Sequence, residues 1–99
     1  MGDPIGKEPR LTSVDLIALN EFKKAMLRKL SENSHKDHWK GYANTYFLRR
    51  LTLELVELKE ALIDSEPAEN IIDECADIAN FAMMIADNAR TNRSGGETR

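Results

Sequence analysis

The sequence predicts an all-α protein: a helical bundle built on an antiparallel helix hairpin and completed by oligomerisation. Three observations carry this prediction. Apolar residues recur at helical spacing in three segments. No segment alternates polar and apolar residues as a strand would. The tetrapeptide "DSEP", Asp64 to Pro67, divides the helical pattern of residues 44–90 near its middle.

Each element has a local reason. Residues 1–11 contain Gly2, Pro4, Gly6 and Pro9 without periodicity, and residues 91–99 are similar, so both are predicted to be flexible tails around one domain, 12–90. A first helix should start near Thr12 or Ser13, because Thr12 followed by Asp15 resembles a capping box with Asp replacing Glu. Its apolar stripe is Leu16, Ile17, Leu19, Phe22, Ala25, Met26 and Leu30. The polar stretch "SENSHKDHWKGYAN" reads mostly as a loop, and a loop of this length in a small domain is often functional. A second helix is predicted from Asn44, a candidate N-cap, to Asp64, with its core stripe at Leu51, Leu55, Leu58 and Leu62. Ser65 can cap a third helix, whose first turn accommodates Pro67. That helix is predicted from Glu66 to Arg90, with its stripe at Ile71, Cys75, Ile78, Ala82 and Ile85.

Composition narrows the function classes. With 41% hydrophobic and 31% charged residues, the chain is too apolar to be wholly disordered. No apolar run has transmembrane length, and the first ten residues lack a signal-peptide core. A single cysteine, Cys75, permits no internal disulfide, and a reducing cytoplasm is the expected location. The net charge of −3 is unevenly spread: residues 54–77 hold nine acids against Lys59, while the remainder holds thirteen Lys/Arg against eight acids. An acidic total argues against coating nucleic acid, and a concentrated acidic segment in basic surroundings suggests a local cation site.

Four of those acids share a register. Glu54 and Glu57 lie three apart on the second helix, and Glu74 and Asp77 do so on the third. Folding the hairpin at Ser65 puts Glu57 and Glu74 at similar heights, ~12–14 Å from the bend. Glu57 should then stand near Glu74, and Glu54 near Asp77. On the helical wheel Glu54 lies about 60° from Leu51, and Glu74 about 60° from Ile71, at the edge of each stripe. Phe81, Met84 and Asn88 continue this face, like the wall of a pocket. Two carboxylates ~5 Å apart repel by roughly 3 kcal/mol at an effective dielectric of about 20, so protonation or a cation must relieve the cluster. Oxygen ligands alone favour Mg²⁺ or Mn²⁺ over zinc. One Glu-x-x-Glu pair by itself ordinarily marks a solvated face; two pairs at matching height on neighbouring helices are what single these out. Glu60, Asp64, Glu66, Glu69 and Asp73 lack the register and read as solvent-facing or as charges favouring a helix N-terminus. A di-iron site would need Glu-x-x-His, and Asp77 stands where the histidine would be.

The pattern Glu54-x-x-Glu57, sixteen residues, Glu74-x-x-Asp77 resembles the motif of the MazG-like all-α nucleoside triphosphate pyrophosphohydrolases, which are related to dimeric dUTPases. "ECADIANFAMMIAD", "RRLTLELVELKEAL" and "KLSENSHKDHWKGY" extend the resemblance over roughly Phe22 to Asn88. Related small members often carry two glycines where this chain has Asp37 and His38. The resemblance implies hydrolysis of a (deoxy)nucleoside triphosphate to the monophosphate and pyrophosphate. In it, Mg²⁺ on Glu54, Glu57, Glu74 and Asp77 binds the phosphates and activates a water for attack on the α-phosphorus. It also implies a homo-oligomer, dimer or tetramer, and a role in the nucleotide pool.

Further residues have two readings each. Trp39 can stack on a base or fold the loop onto the bundle, and Lys36 and Lys40 can meet phosphate. His35 is a ligand contact by resemblance only; with His38 in an irregular loop it makes a poor metal pair. Phe81 can line a base pocket or fill the core, and Asn80 can bind ligand or a neighbouring side chain. Lys23, Lys24 and Arg28 can rim a triphosphate site or simply be solvated, and Arg49 and Arg50 can pair with nearby acids. The alternative function is a non-catalytic helical module that binds nucleotide or protein without hydrolysis.

Overall fold

The computed structural model describes residues 10–32 and 39–95, with side chains through Thr91. These residues form α1 (Ser13–Glu32), a 3-10 turn (Trp39–Gly41), α2 (Asn44–Ile63) and α3 (Ala68–Gly95), with no strand among them. The all-α prediction therefore holds. None of the described helices is long and apolar enough to cross a membrane.

Local chemistry accounts for the ends. Asp15 N–H donates to Thr12 Oγ1 at 3.1 Å, and Thr12 N–H donates back to Asp15 Oδ2 at 3.1 Å. This reciprocal box starts α1 where the sequence places it. α2 starts at Asn44, but Asn44 is not its cap: Ala43 holds that position without a side-chain hydrogen bond. Asn44 Oδ1 instead accepts from Asn88 Nδ2 of α3 at 3.3 Å.

The end of α2 also differs from expectation. Ser65 does not cap α3. It closes α2 with φ 53°, while Glu66 N–H donates to Ala61 O at 3.0 Å and Ser65 N–H to Leu62 O at 3.2 Å. This is a Schellman motif, with serine in the left-handed position that glycine usually takes. Pro67 precedes α3, and its carbonyl accepts from Asn70 N–H at 2.9 Å. α3 continues to Gly95, past the expected end at Arg90 and into the segment expected to be a tail.

α3 is the central element. It packs against both α1 and α2, which do not pack on each other. Along the α2–α3 interface, Asn44 meets Asn88, Phe47 meets Phe81, and Glu54 and Glu57 meet Glu74. Among the described residues the buried apolar ones are Ala25, Phe47, Ala61 and Ala76, mostly small. Asn80 and Asn88 are buried with them, as is Glu54.

The predicted core stripes are only partly right. On α2, Leu51 and Leu58 are half-buried, but Leu55 and Leu62 are exposed. The face turned to α3 passes instead through Phe47, Glu54 and Ala61, which lie about 80–120° from Leu55 on the wheel. On α3, Ala82 is exposed and the enclosed positions are Ala76, Asn80 and Asn88. Only the second half of α1 packs, through Phe22, Ala25, Met26 and Leu30; Leu16, Ile17 and Leu19 are exposed.

Candidate metal centre

The α2–α3 interface turns Glu54 inward, with only 7% of its surface exposed. One helical turn later Glu57 stays exposed at the rim, and Glu74 of α3 lies half-buried opposite them. Each of the three offers one carboxylate oxygen within 4.8 Å of those of the other two. An octahedral magnesium site with bonds of about 2.1 Å places its ligand oxygens ~3–4 Å apart, so modest side-chain rotation would gather these onto one ion. The set is purely hard oxygen, which suits Mg²⁺ or Mn²⁺.

A second observation points to a cation. Glu74 Oε1 is wholly shielded from solvent and has no hydrogen-bond partner among the described residues. Burial, a proton that Glu54 can share, and the charges of Glu57, Glu54 and Asp77 push the Glu74 carboxyl up to about 7. While both glutamates are ionised, no donor stands between them. A metal ion would supply the missing partner.

Asp77 departs from the expected foursome. It is not one of the three oxygens that converge. Its Oδ2 lies 3.8 Å from Nζ of Lys29, which comes from α1. Burial raises the Asp77 carboxyl above the usual range, Lys29 opposes this, and Glu54, Asp73 and Glu57 reinforce it. Burial likewise pulls the Lys29 ammonium down, but Asp77, Glu32 and Asp73 together outweigh it and hold Lys29 above the ordinary lysine range.

Two of the four acids are therefore paired with cations, Asp77 with Lys29 and Glu54 with Arg50. Arg50 Nη2 donates to Glu54 Oε2 at 3.3 Å, and its guanidinium carbon lies 5.7 Å from the centroid of the Phe81 ring. This realises the pairing of Arg50 with a nearby acid. Lys29 was not singled out by sequence, because only the packing of α1 brings it to Asp77.

The remaining candidates separate. His35 and Lys36 lie outside the described residues, as do Asp37 and His38. Trp39 Nε1 and Lys40 Nζ both donate to Asp87 Oδ2, at 3.0 and 2.7 Å, and Lys40 also reaches Thr91 Oγ1 at 2.9 Å. Asp87 is thirteen residues beyond Glu74 on one helix, ~20 Å along its axis. The Trp39–Lys40 turn is thus fastened to α3 well away from the carboxylates. Asn80 Nδ2 donates to the Met26 carbonyl at 3.1 Å, so its amide ties α1 to α3, while Asn80 Oδ1 is buried without a partner. Phe81 lies half-buried between Arg50 and Phe47, 6.2 Å from the latter. Asp87 itself was missed. Arg90 donates to it from the next turn of α3, but Trp39 and Lys40 lie 48 and 47 residues away, and spacing carries no signal at that range.

Comparison with protein-family models, curated proteins and solved structures finds no match for this chain.

Proposed function

We propose that this protein is a Mg²⁺-dependent (d)NTP pyrophosphohydrolase that releases pyrophosphate and leaves the nucleoside monophosphate. The observation that carries the reading is the convergence of Glu54, Glu57 and Glu74 around a shielded, unpartnered Glu74 oxygen. Glu54, Glu57 and Glu74 would hold the ion, with Asp77 as a nearby fourth carboxylate. Bound Mg²⁺ would neutralise phosphate charge and lower the pKa of a coordinated water. Asp77, set apart from the converging three, is the carboxylate available to take the proton of the attacking water. Phe81 offers an apolar surface next to the site.

In this reading α2 and α3 form an antiparallel hairpin. The contacts Asn44–Asn88, Phe47–Phe81 and Glu57–Glu74, which run in opposite order along the two helices, support it. The active form is a homo-oligomer in the cytoplasm, serving the nucleotide pool. Leu48, Leu51, Leu55, Leu58 and Leu62 alternate by three and four residues, the spacing of a coiled-coil seam, and Leu48, Leu55 and Leu62 are each more than half exposed. A second copy covering this seam would complete a core that one chain leaves shallow.

The test is pyrophosphate release from a panel of NTPs and dNTPs with Mg²⁺. Wild type should release it, and Glu57→Gln and Asp77→Asn should not; full activity in either variant would remove its residue from the mechanism. A non-catalytic binding module is the second reading, favoured by the exposed apolar first half of α1. It predicts no binding of Mg²⁺ in calorimetry.

A further inference from the structure

The carboxylates at the α2–α3 interface are flanked by two cations from helices that do not pack on each other. Arg50 of α2 pairs with Glu54, and Lys29 of α1 pairs with Asp77. The two are held differently. The Arg50 side chain is 41% exposed and rests over the Phe81 ring, so its guanidinium can turn without losing that support. Lys29 is only 17% exposed and is also fixed by Glu32 at 3.3 Å. A lysine this enclosed keeps its charge through the acids around it, and its 3.8 Å approach to Asp77 is longer than a direct hydrogen bond. A triphosphate keeps net negative charge after one divalent ion has bound it, and it needs protein cations beside the metal.

We propose that Arg50 and Lys29 are the phosphate-binding cations of this site, each exchanging its carboxylate partner for a phosphate oxygen when a metal-bound polyphosphate enters. The proposal rests on the pyrophosphohydrolase reading and deepens it. Two cations carried by different helices select a ligand long enough to engage both. A polyphosphate ester can offer a separate phosphoryl group to each, and inorganic phosphate should bind more weakly.

The experiment is calorimetry on the full chain in excess Mg²⁺, with inorganic tripolyphosphate and inorganic phosphate as probes. Tripolyphosphate should bind wild type, and each of Arg50→Gln and Lys29→Gln should weaken it by about tenfold or more. Arg50→Lys and Lys29→Arg should recover much of that loss. Asp73→Asn is the control: it removes the 2.7 Å pair with Arg28 that also ties α1 to α3, and it should not weaken tripolyphosphate binding. Mg²⁺ alone should bind the two glutamine variants at least as tightly as wild type, because a competing cation has gone. Folded glutamine variants that bind tripolyphosphate within about twofold of wild type would overturn the proposal and leave the metal site standing. So would an equal loss in Asp73→Asn, which would trace the effect to α1 docking. Wild type that binds no Mg²⁺ would remove the pyrophosphohydrolase reading, and this proposal with it.

Discussion

Lys29 of α1 stands 3.8 Å from Asp77 of α3, and Asp77 stands outside the group formed by Glu54, Glu57 and Glu74. The four acids thus divide into three that share one point and one that faces a cation from a third helix. This division gives the acids different protonation behaviour, which can be measured.

The Glu74 carboxyl sits at about 7, above its ordinary 4.5. A raised carboxyl is neutral in the folded protein at low pH and must ionise against its neighbours as pH rises. The metal-free protein should therefore lose stability between about pH 4.5 and 7. Mg²⁺ should reverse this slope, since binding displaces the proton, and its affinity should rise through the same window. Thermal melts from pH 5 to 8, in chelator and in Mg²⁺, test this. Glu74→Gln should flatten the chelator curve and abolish the Mg²⁺ effect. Unchanged slopes would contradict the assignment.

Asp87 behaves in the opposite sense. Hydrogen bonds from Lys40 and Trp39 hold its carboxyl down at about 2, from an ordinary 3.8. Its contribution is complete above about pH 4 and is lost as pH falls toward 2. Trp39 is the only tryptophan, so its emission reports this contact directly. Asp87→Ala should shift that emission to the red at neutral pH, with little change in Mg²⁺ affinity. An unshifted spectrum would mean that Asp87 does not hold the turn.

Ser65 occupies a left-handed backbone position, φ 53°, that glycine adopts without a side-chain penalty. Ser65→Gly should stabilise the protein by about 0.5–1 kcal/mol, raising Tm by several degrees. A loss of stability would indicate that the serine side chain has a role in the turn.

The leucines of α2 make a separate prediction. If a second copy covers the seam, Leu55→Glu should shift the oligomer toward monomer in light scattering and lower Tm. Leu53→Glu, about 160° round the helix from Leu55, should leave the oligomer intact. A wild-type monomer at all concentrations would remove this interface.

Sequence was a good guide to what depends on near neighbours. The Thr12–Asp15 box, the three helical segments and the break at "DSEP" are set by residues within a few positions of one another. The meeting of Glu57 with Glu74 was also legible, because a short turn makes height along two helices a matter of counting. What failed was the choice of face. α2 carries apolar residues on two sides, and Leu51, Leu55, Leu58 and Leu62 make the more regular pattern. The face that meets α3 is instead the one containing Phe47, Glu54 and Ala61, all three of them buried. Hydrophobicity alone does not favour a face containing a buried glutamate. Lys29 and Asp87 were hidden for another reason: Lys29 meets Asp77, and Asp87 meets Trp39 and Lys40, only through the docking of α1 and of the Trp39 turn on α3.

The most direct test of the central claim is hydrolysis of a (d)NTP panel in ¹⁸O-labelled water with Mg²⁺, with the products resolved by mass. Attack on the α-phosphorus predicts label in the nucleoside monophosphate, unlabelled pyrophosphate, and loss of both products in Glu57→Gln. Label in released phosphate or pyrophosphate, or no hydrolysis of any nucleotide by folded protein, would contradict it.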